Sequence, residues 1–343
     1  MTYLDHLPER VGNLIRSRFV CEWATISKAG VPINSPLVPF VSEDLETIDC
    51  ATGLAYPVKA ERARRNPHVG MLFEGGAEDP VVSVGGFAAV RDSDLQANLE
   101  RYLCEEILTT MLDPATTDYA SVTRHALSYF TRIVVCVKPA VVRWWDSPAA
   151  MDEPPTEWRA PAGTVFPQSD PAPPGKMARA PWQEAPPWRE IAASAISRNA
   201  PGHLTLTDAD GFPLPTRARS VALTENGFDL RLPEWLPWSG GKATLSFEGA
   251  EILVGNVSLC GSHAKMTVDR ALPLLPLMAN PAEILHPKPE TRQALMDRIA
   301  HELERRGAHL PVMPESPPEP TAGAQFRADA AFGYEGLSGI REE

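Results

Sequence analysis

Three basic side chains recur at intervals of three residues early in the chain and could together bind an anion. They are Lys59, Arg62 and Arg65, in a segment that ends at Asn66-Pro67. A helix would bring residues at this spacing near one face. Lys59 falls near the predicted helix start, where free backbone amides and the helix dipole favour negative charge. The pattern predicts a site for a phosphate-bearing ligand; the alternative is a solvated basic face on a surface helix.

Segments with the character of short strands surround this helix. Strands are predicted over 23–27, 32–41, 45–51, 69–73, 81–90, 131–137 and 140–145. Apolar residues one turn apart predict further helices, over 1–18, 93–112, 118–130 and 289–306. A series of short antiparallel strands with one inserted helix is typical of a small barrel.

The order of these segments resembles that of a known family. It runs strand, Gly-x-Pro turn, two strands, Thr-Gly, Lys-x-x-Arg helix, Asn-Pro, strand and Gly-x-Ala strand. Pro139 to Asp146, with the pattern Pro-x-x-Val-x-x-Trp, adds a similar last strand. Together they resemble the flavin-binding split-barrel family related to pyridoxamine 5′-phosphate oxidase, over about residues 19–146. The resemblance implies bound flavin mononucleotide (FMN) and a flavin-dependent oxidoreductase that acts on a small-molecule substrate.

The resemblance also implies roles for particular residues. Lys59 would bind the flavin phosphate as a compact charge, and Arg62 would add a bidentate contact. Thr52, after the third predicted strand, would donate its hydroxyl to the phosphate or the ribityl chain. The backbone that would lie along the edge of the flavin ring belongs to Ser35, Pro36, Leu37 and Val38. The sequence does not identify a catalytic residue.

Two departures from the family pattern leave alternatives open. Tyr56-Pro57 replaces the usual Gly-Ser-Arg, and the segment from Thr52 to Lys59 is one residue longer than expected. Ser35 stands where pyridoxamine phosphate oxidases carry an arginine, so the vitamin B6 reaction is not expected. The alternative cofactors are a deazaflavin or haem. The alternative functions are a binding protein without turnover, or a structural protein with an empty site.

The second half of the chain resembles a degenerate repeat of the first. Three segments of the first half have counterparts in order: Gly30-Val31-Pro32 in Gly211-Phe212-Pro213, Phe73-Glu74-Gly75 in Phe247-Glu248-Gly249, and 84–88 in 253–257. The basic helix has no counterpart, because two prolines and two glycines fall between Arg231 and Ala243. We therefore expect a mainly β protein of the α+β class, with two split β-barrels in tandem, peripheral helices and one flavin site per chain.

The expected domains are a first barrel over 1–147, a proline-rich connector over 148–188, a degenerate second barrel over 189–280, and a C-terminal helix and extended tail over 281–343. The prolines of the connector disfavour regular helix and central strand, so we expect it to be partly extended. The two barrels are expected to pair with each other, either as an internal pseudo-dimer or across a homodimer.

Composition excludes several classes of protein. The formal charge of −12 over 343 residues argues against a nucleic-acid partner. No apolar run approaches the roughly 20 residues needed to cross a bilayer, so no membrane partner is expected. The eight histidines show no metal-ligand spacing, and no metal is expected. Scattered cysteines at 21, 50, 104, 136 and 260 indicate reduced thiols and a cytoplasmic protein.

Overall fold

Two curled antiparallel sheets with helices around them form the protein, which confirms the expected α+β class and its two barrel-like halves. The structure is a computed structural model that describes residues 6–42, 45–105, 119–178, 185, 187–247, 251–273 and 288–331. In that part of the chain no helix is both long and apolar enough to cross a membrane.

The first sheet has eight strands, in the order β2-β1-β5-β6-β7-β4-β3, with β8 paired to β7. Its strands are β1 (Cys21–Ile26), β2 (Pro32–Leu37), β3 (Pro39–Val41), β4 (Ile48–Gly53), β5 (His68–Phe73), β6 (Val81–Arg91), β7 (Arg132–Trp145) and β8 (Thr156–Arg159). Four helices accompany it: α1 (Glu9–Ser17), α2 (Val58–Arg65), α3 (Leu95–Glu105) and α4 (Tyr119–Phe130).

Several boundaries differ from the prediction for physical reasons. The single strand expected over 32–41 is broken at Val38, so that β2 pairs with β1 and β3 pairs with β4. The two strands expected at the end of the barrel are one, β7, which runs through Pro139. A register shift between Gly85 and Gly86 accommodates that proline, as bulges commonly do. Parts of the helices predicted over 1–18 and 93–112 lie outside the described residues.

The second sheet repeats the strand order of the first. Its order is β10-β9-β13-β14-β15-β12-β11, so that β9 to β15 occupy the places of β1 to β7. The strands are β9 (Gly202–Thr207), β10 (Pro213–Arg217), β11 (Ser220–Leu223), β12 (Gly227–Arg231), β13 (Gly241–Phe247), β14 (Ile252–Cys260) and β15 (His263–Ala271).

The sequence matches between the halves fall at corresponding places. Gly30 and Gly211, with φ of 75° and 88°, form the turns before β2 and β10. Phe73 and Phe247 end β5 and β13. Both β6 and β14 shift register beside a glycine, at Gly85/Gly86 and at Val254/Gly255. Where α2 stands between β4 and β5, residues 232–240 form a loop, as the prolines and glycines there predicted.

The proline-rich connector lies against the first half of the chain. It contains a 3₁₀ helix (Pro148–Asp152) and strand β8 before α5 (Trp188–Ser197) begins. The Asp170 carboxylate accepts hydrogen bonds from the backbone amides of Asp92 and Ser93, at 2.9 and 3.0 Å. Helix α6 (Pro289–Arg306) has the predicted bounds and ends at Gly307, whose φ is 59°. Helix α7 (Ala322–Ala331) follows it.

The two sheets pack on each other reciprocally. Strand β2 contacts β9, β13 and β14, and its counterpart β10 contacts β1, β5 and β6. The Asn34 side-chain amide donates to Ser246 Oγ at 2.8 Å, and the Thr244 hydroxyl donates to the Pro32 carbonyl at 2.9 Å. Arg143 and Asp208 form a buried ion pair at 3.1 Å across this interface between the two sheets, which we call the seam. These contacts fix the walls of the cavity described next.

Candidate functional site

A cavity of about 1240 Å³ opens where the two sheets meet. The first sheet contributes β2, the end of β4 and helix α2. The second half contributes Ile252 of β14 and the two residues after β15, Leu272 and Pro273, and α6 contributes Arg298 and Arg305. The connector closes one side with several residues between Ala172 and Ala178. The cavity is therefore assembled from all parts of the chain rather than from one barrel.

Six of the seven residues singled out from the sequence line this cavity. They are Ser35, Pro36, Leu37, Thr52, Lys59 and Arg62. The seventh, Val38, does not line it. It lies after the end of β2 and packs against a different apolar cluster, which contains Phe40 and Ala51. The predicted residues are brought together by the structure, and their contacts with a ligand stay a prediction.

Helix α2 separates its buried and basic faces by simple periodicity. Ala60 and Ala63 are buried in the core of the first sheet. Lys59 and Arg62 are half-buried at the cavity wall. The helix begins after Pro57, and no side chain caps its first turn. Its first backbone amides are thus left to water or to a ligand.

Acidic residues neutralise another basic position of α2. Arg64 forms an ion pair with Asp92 at 2.7 Å and donates to the backbone carbonyl of Asp170. Asp92 also pairs with Arg306 of α6 at 3.0 Å, and Arg306 in turn contacts the fully buried Glu302. Helix α6 is held to α2 by this network, and these carboxylates are engaged there.

The cavity-facing cations lack such partners. Neither the Lys59 ammonium nor the Arg62 guanidinium makes a hydrogen bond or ion pair with any residue in the described ranges. Burial, and then repulsion from Arg62, lowers the pKa of Lys59 to about 8. Burial, followed by the charges of Arg65 and Arg270, lowers the pKa of Arg62 to about 10. Two desolvated cations without counterions fit an anionic ligand.

Hydrogen bonds from Thr52 and from Arg298 of α6 stabilise the turn between β4 and α2. The Thr52 hydroxyl, 5% exposed, donates to the Tyr56 carbonyl at 3.3 Å. Arg298 of α6 donates to the Ala55 carbonyl at 2.6 Å, and its guanidinium lies 5.6 Å from the Tyr56 ring centroid. Because a hydroxyl has one hydrogen, Thr52 would have to rotate to donate to a phosphate.

Further cavity residues were not found from the sequence. They include Tyr56, Ser128, Tyr129, Arg132, Lys176, Arg298 and the three residues of the second half. No local pattern identifies them, because they reach the cavity only through packing of distant segments. Among the described residues, no cluster of three or more histidine, cysteine or acidic side chains could hold a metal ion.

Comparison with solved structures finds chains of low sequence identity. A conserved hypothetical protein of Mycobacterium tuberculosis is 24% identical, over 41% of this chain and 85% of that chain, with a TM-score of 0.33. An FMN-binding protein of Nostoc punctiforme, related to pyridoxamine 5′-phosphate oxidase, is 16% identical, over 39% and 80%, with a TM-score of 0.29. An F420 reductase is 15% identical, over 41% and 100%, with a TM-score of 0.31.

No protein-family model and no curated protein matches the chain. Two of the solved structures found have names that contain pyridoxamine 5′-phosphate oxidase, and the name of a third contains pyridoxinephosphate oxidase family.

Proposed function

We propose that the cavity binds FMN through its phosphate and that the protein is a flavin-dependent oxidoreductase with a small-molecule substrate. The observation that carries this proposal is the pair of half-buried cations, Lys59 and Arg62, that face the cavity without a carboxylate partner in the described structure. A phosphate would supply the missing charge and would accept hydrogen bonds from the uncapped first turn of α2.

The rest of the cavity suits a planar ligand attached to that phosphate. Strand β2 is an end strand of its sheet and pairs there with β1 alone. The Pro32 carbonyl and the Asn34 N–H face away from β1, so by alternation along the strand the Pro36 carbonyl also faces outward and is available to a ring edge, whereas the backbone groups of Ser35 and Leu37 face β1. Ligand cavities usually measure about 300–1,000 Å³, so the volume of about 1240 Å³ leaves room for a substrate beside a flavin.

A bound flavin would supply hydride or electron transfer, and this chain would bind it, orient it and exclude water. Lys59 and Arg62 would hold the phosphate. The connector and α6 would cover the cavity on the side away from β2. The five cysteines are free, which is consistent with a reducing compartment and supports a cytoplasmic location.

The second candidate is a protein of the same fold that binds a flavin, a deazaflavin or haem without turnover. The observation that favours it is chemical. Among the described residues of the cavity wall, Glu61 is the only carboxylate, and it lies within 3.5–3.7 Å of Arg64, Arg305 and Arg306. The described wall thus offers no free carboxylate for proton transfer, and all redox chemistry would belong to the cofactor.

Flavin titration of the purified protein tests the proposal. We expect a flavin absorption band, and Lys59→Ala should weaken FMN binding by roughly 1.5–3 kcal/mol, the scale of a hydrogen bond to a charged group. That loss is roughly 10- to 150-fold in Kd. Lys28→Ala, at an exposed turn outside the cavity, is the matched control.

Riboflavin separates phosphate binding from ring binding, because it lacks the phosphate. Lys59→Ala should leave riboflavin affinity unchanged. Equal FMN affinity in Lys59→Ala and the parent protein would remove Lys59 from the site and contradict the proposal. Bleaching of the bound flavin by a nicotinamide donor, followed by reoxidation in air, would favour the oxidoreductase over the binding protein.

A further inference from the structure

Arg132 presents a second cationic position in the cavity, apart from helix α2. It begins strand β7 directly after helix α4 and lines the cavity. Its guanidinium carbon lies 4.0 Å from the ring centroid of Tyr129 and 4.4 Å from that of Tyr102. The two rings restrict the guanidinium, so its donors point in fixed directions.

Most of the hydrogen-bonding capacity of Arg132 is unused by the protein. The guanidinium has five N–H donors. Nη2 donates to the Tyr102 hydroxyl at 3.1 Å. Within the described part of the chain, Nε is buried without a hydrogen-bond partner, and no carboxylate pairs with the side chain. Because Nε is closed to solvent, the donors of Arg132 that a ligand oxygen in the cavity would meet are those of the terminal nitrogens Nη1 and Nη2.

The position of Arg132 is distinct from that of the α2 cations. Lys59 and Arg62 project from α2, whereas Arg132 is fixed by tyrosines of α3 and α4. Its side chain also approaches the end of β4, because a Cβ added to Gly53 would lie 3.7 Å from Arg132 Nη1. The positive charge of Arg132 still acts on Lys59, so both cations belong to one cavity.

We propose that Arg132 binds a carboxylate of the substrate, which is therefore a small organic acid. This inference rests on the proposed function in that the cofactor phosphate occupies the α2 position. A planar guanidinium held between aromatic rings presents a flat edge that matches a carboxylate in bidentate geometry. The cavity volume of about 1240 Å³ admits such a molecule beside a cofactor.

Benzoate and its neutral isostere benzamide are suitable probes, with binding followed by the absorption shift of FMN-loaded protein. We expect benzoate to bind at least tenfold more tightly than benzamide. Arg132→Met should lower benzoate affinity at least tenfold and leave FMN affinity within about threefold. Arg132→Lys, which keeps the charge but loses the planar fork, should give an intermediate loss and decides the matter if Arg132→Met does not fold.

A second readout separates this inference from the proposed function. In flavin-free protein, benzoate should raise the thermal midpoint in the Lys59→Ala variant but not in Arg132→Met, whether or not FMN binds. Three outcomes would overturn the inference: equal binding of benzoate and benzamide, unchanged benzoate affinity in the Arg132 variants, or loss of FMN rather than benzoate affinity. The last outcome would assign Arg132 to the cofactor phosphate.

Discussion

Lys59 is held in an environment that disfavours its own charge. Its pKa is lowered to about 8 by burial and by Arg62. Because the unfolded chain binds this proton more tightly, a charged Lys59 destabilises the fold below pH 8, and this effect fades as the pH rises toward the ordinary pKa of about 10.4. A bound phosphate would offset this destabilisation, so Lys59 contributes to ligand binding and not to the stability of the fold.

FMN affinity should therefore fall as the pH rises through 8. Phosphate contact favours protonated Lys59, and a free-protein pKa of about 8 gives a loss of up to roughly tenfold between pH 7 and pH 9. FMN titrations at a series of pH values measure this loss. Lys59→Arg should abolish the fall, since arginine stays charged throughout this range.

Riboflavin is the ligand control for this pH dependence. Its affinity should not change between pH 7 and pH 9, because it brings no phosphate to the cation. A parallel fall for riboflavin and FMN would show that another group in the cavity titrates, and a flat FMN profile would mean that Lys59 does not contact the phosphate.

Local spacing revealed some cavity residues and could not reveal others. The sequence identified Lys59 and Arg62 by their three-residue spacing on a helix that is predicted to end at Asn66-Pro67. Arg132 and Tyr129 carry no such signal. Their importance arises from the ring stacking of α3 and α4 against the start of β7, which depends on tertiary packing.

At the scale of elements, glycines inside strands mark where the two sheets approach each other. Gly70 lies in the middle of β5, and a Cβ there would lie 1.8 Å from the Pro213 carbonyl oxygen. Gly85 in β6 faces the Phe212 ring in the same way, at 2.9 Å. Interior strand glycines commonly indicate close backbone approach, but the sequence does not identify the strand that approaches.

Gly70→Ala should destabilise the protein by forcing β5 away from β10. The clash is with backbone, which cannot rotate aside, and overpacking of this kind costs roughly 1–3 kcal/mol or more. The unfolding midpoint in urea measures it. Gly76→Ala is the matched control, because Gly76 is exposed and its added Cβ would be 3.5 Å from the nearest side-chain atom. Equal midpoints for the two variants would mean that the sheets are not in contact at Gly70.

The seam also contains a buried histidine between two carboxylates. His203 Nε2 lies 2.9 Å from Glu74 and Nδ1 lies 3.5 Å from Glu22. Burial lowers the pKa of His203, but the hydrogen bond to Glu74 and the charges of Glu22 and Glu74 outweigh burial and raise it. The protonated histidine therefore joins strand β9 to the first sheet.

His203→Gln should lower the free energy of unfolding more at pH 6 than at pH 9. A raised pKa in the folded state gives stability that is complete below the ordinary pKa of about 6.5 and is lost as the pH rises through the folded value. Urea denaturation at both pH values measures the difference. His263→Gln, at an exposed position, is the control, and an equal effect of His203→Gln at both pH values would contradict the ion pair.

At the scale of the whole molecule, the two halves share a strand order but differ at the place of helix α2. In the second half the loop 232–240 replaces α2. Its Trp235 packs against Trp145 at the end of β7, with ring centroids 5.6 Å apart. The backbone amide of Glu234 donates to Asp152 at 2.8 Å, and Arg219 pairs with the same carboxylate. Apolar packing and paired charges thus occupy the position that corresponds to the α2 cations.

The sequence indicated this asymmetry but not its cause. Prolines and glycines between Arg231 and Ala243 excluded a helix, and the matched turns at Gly30 and Gly211 indicated the shared topology. The packing of Trp235 against Trp145 could not be predicted, because it joins a loop to the end of a strand that is distant in the chain. The reciprocal packing of β2 and β10 likewise required the folded structure.

We therefore expect one FMN per chain, bound by a single chain. Reciprocal packing of the two sheets already provides both walls of the cavity, so an internal pseudo-dimer suffices and no second copy is needed. Native mass spectrometry of the flavin-loaded protein, with sedimentation at several concentrations, measures both quantities. Two flavins per chain would show that the second half retains a site despite Trp235. One flavin per two chains, or flavin binding only in a dimer, would place the seam between copies instead of within the chain.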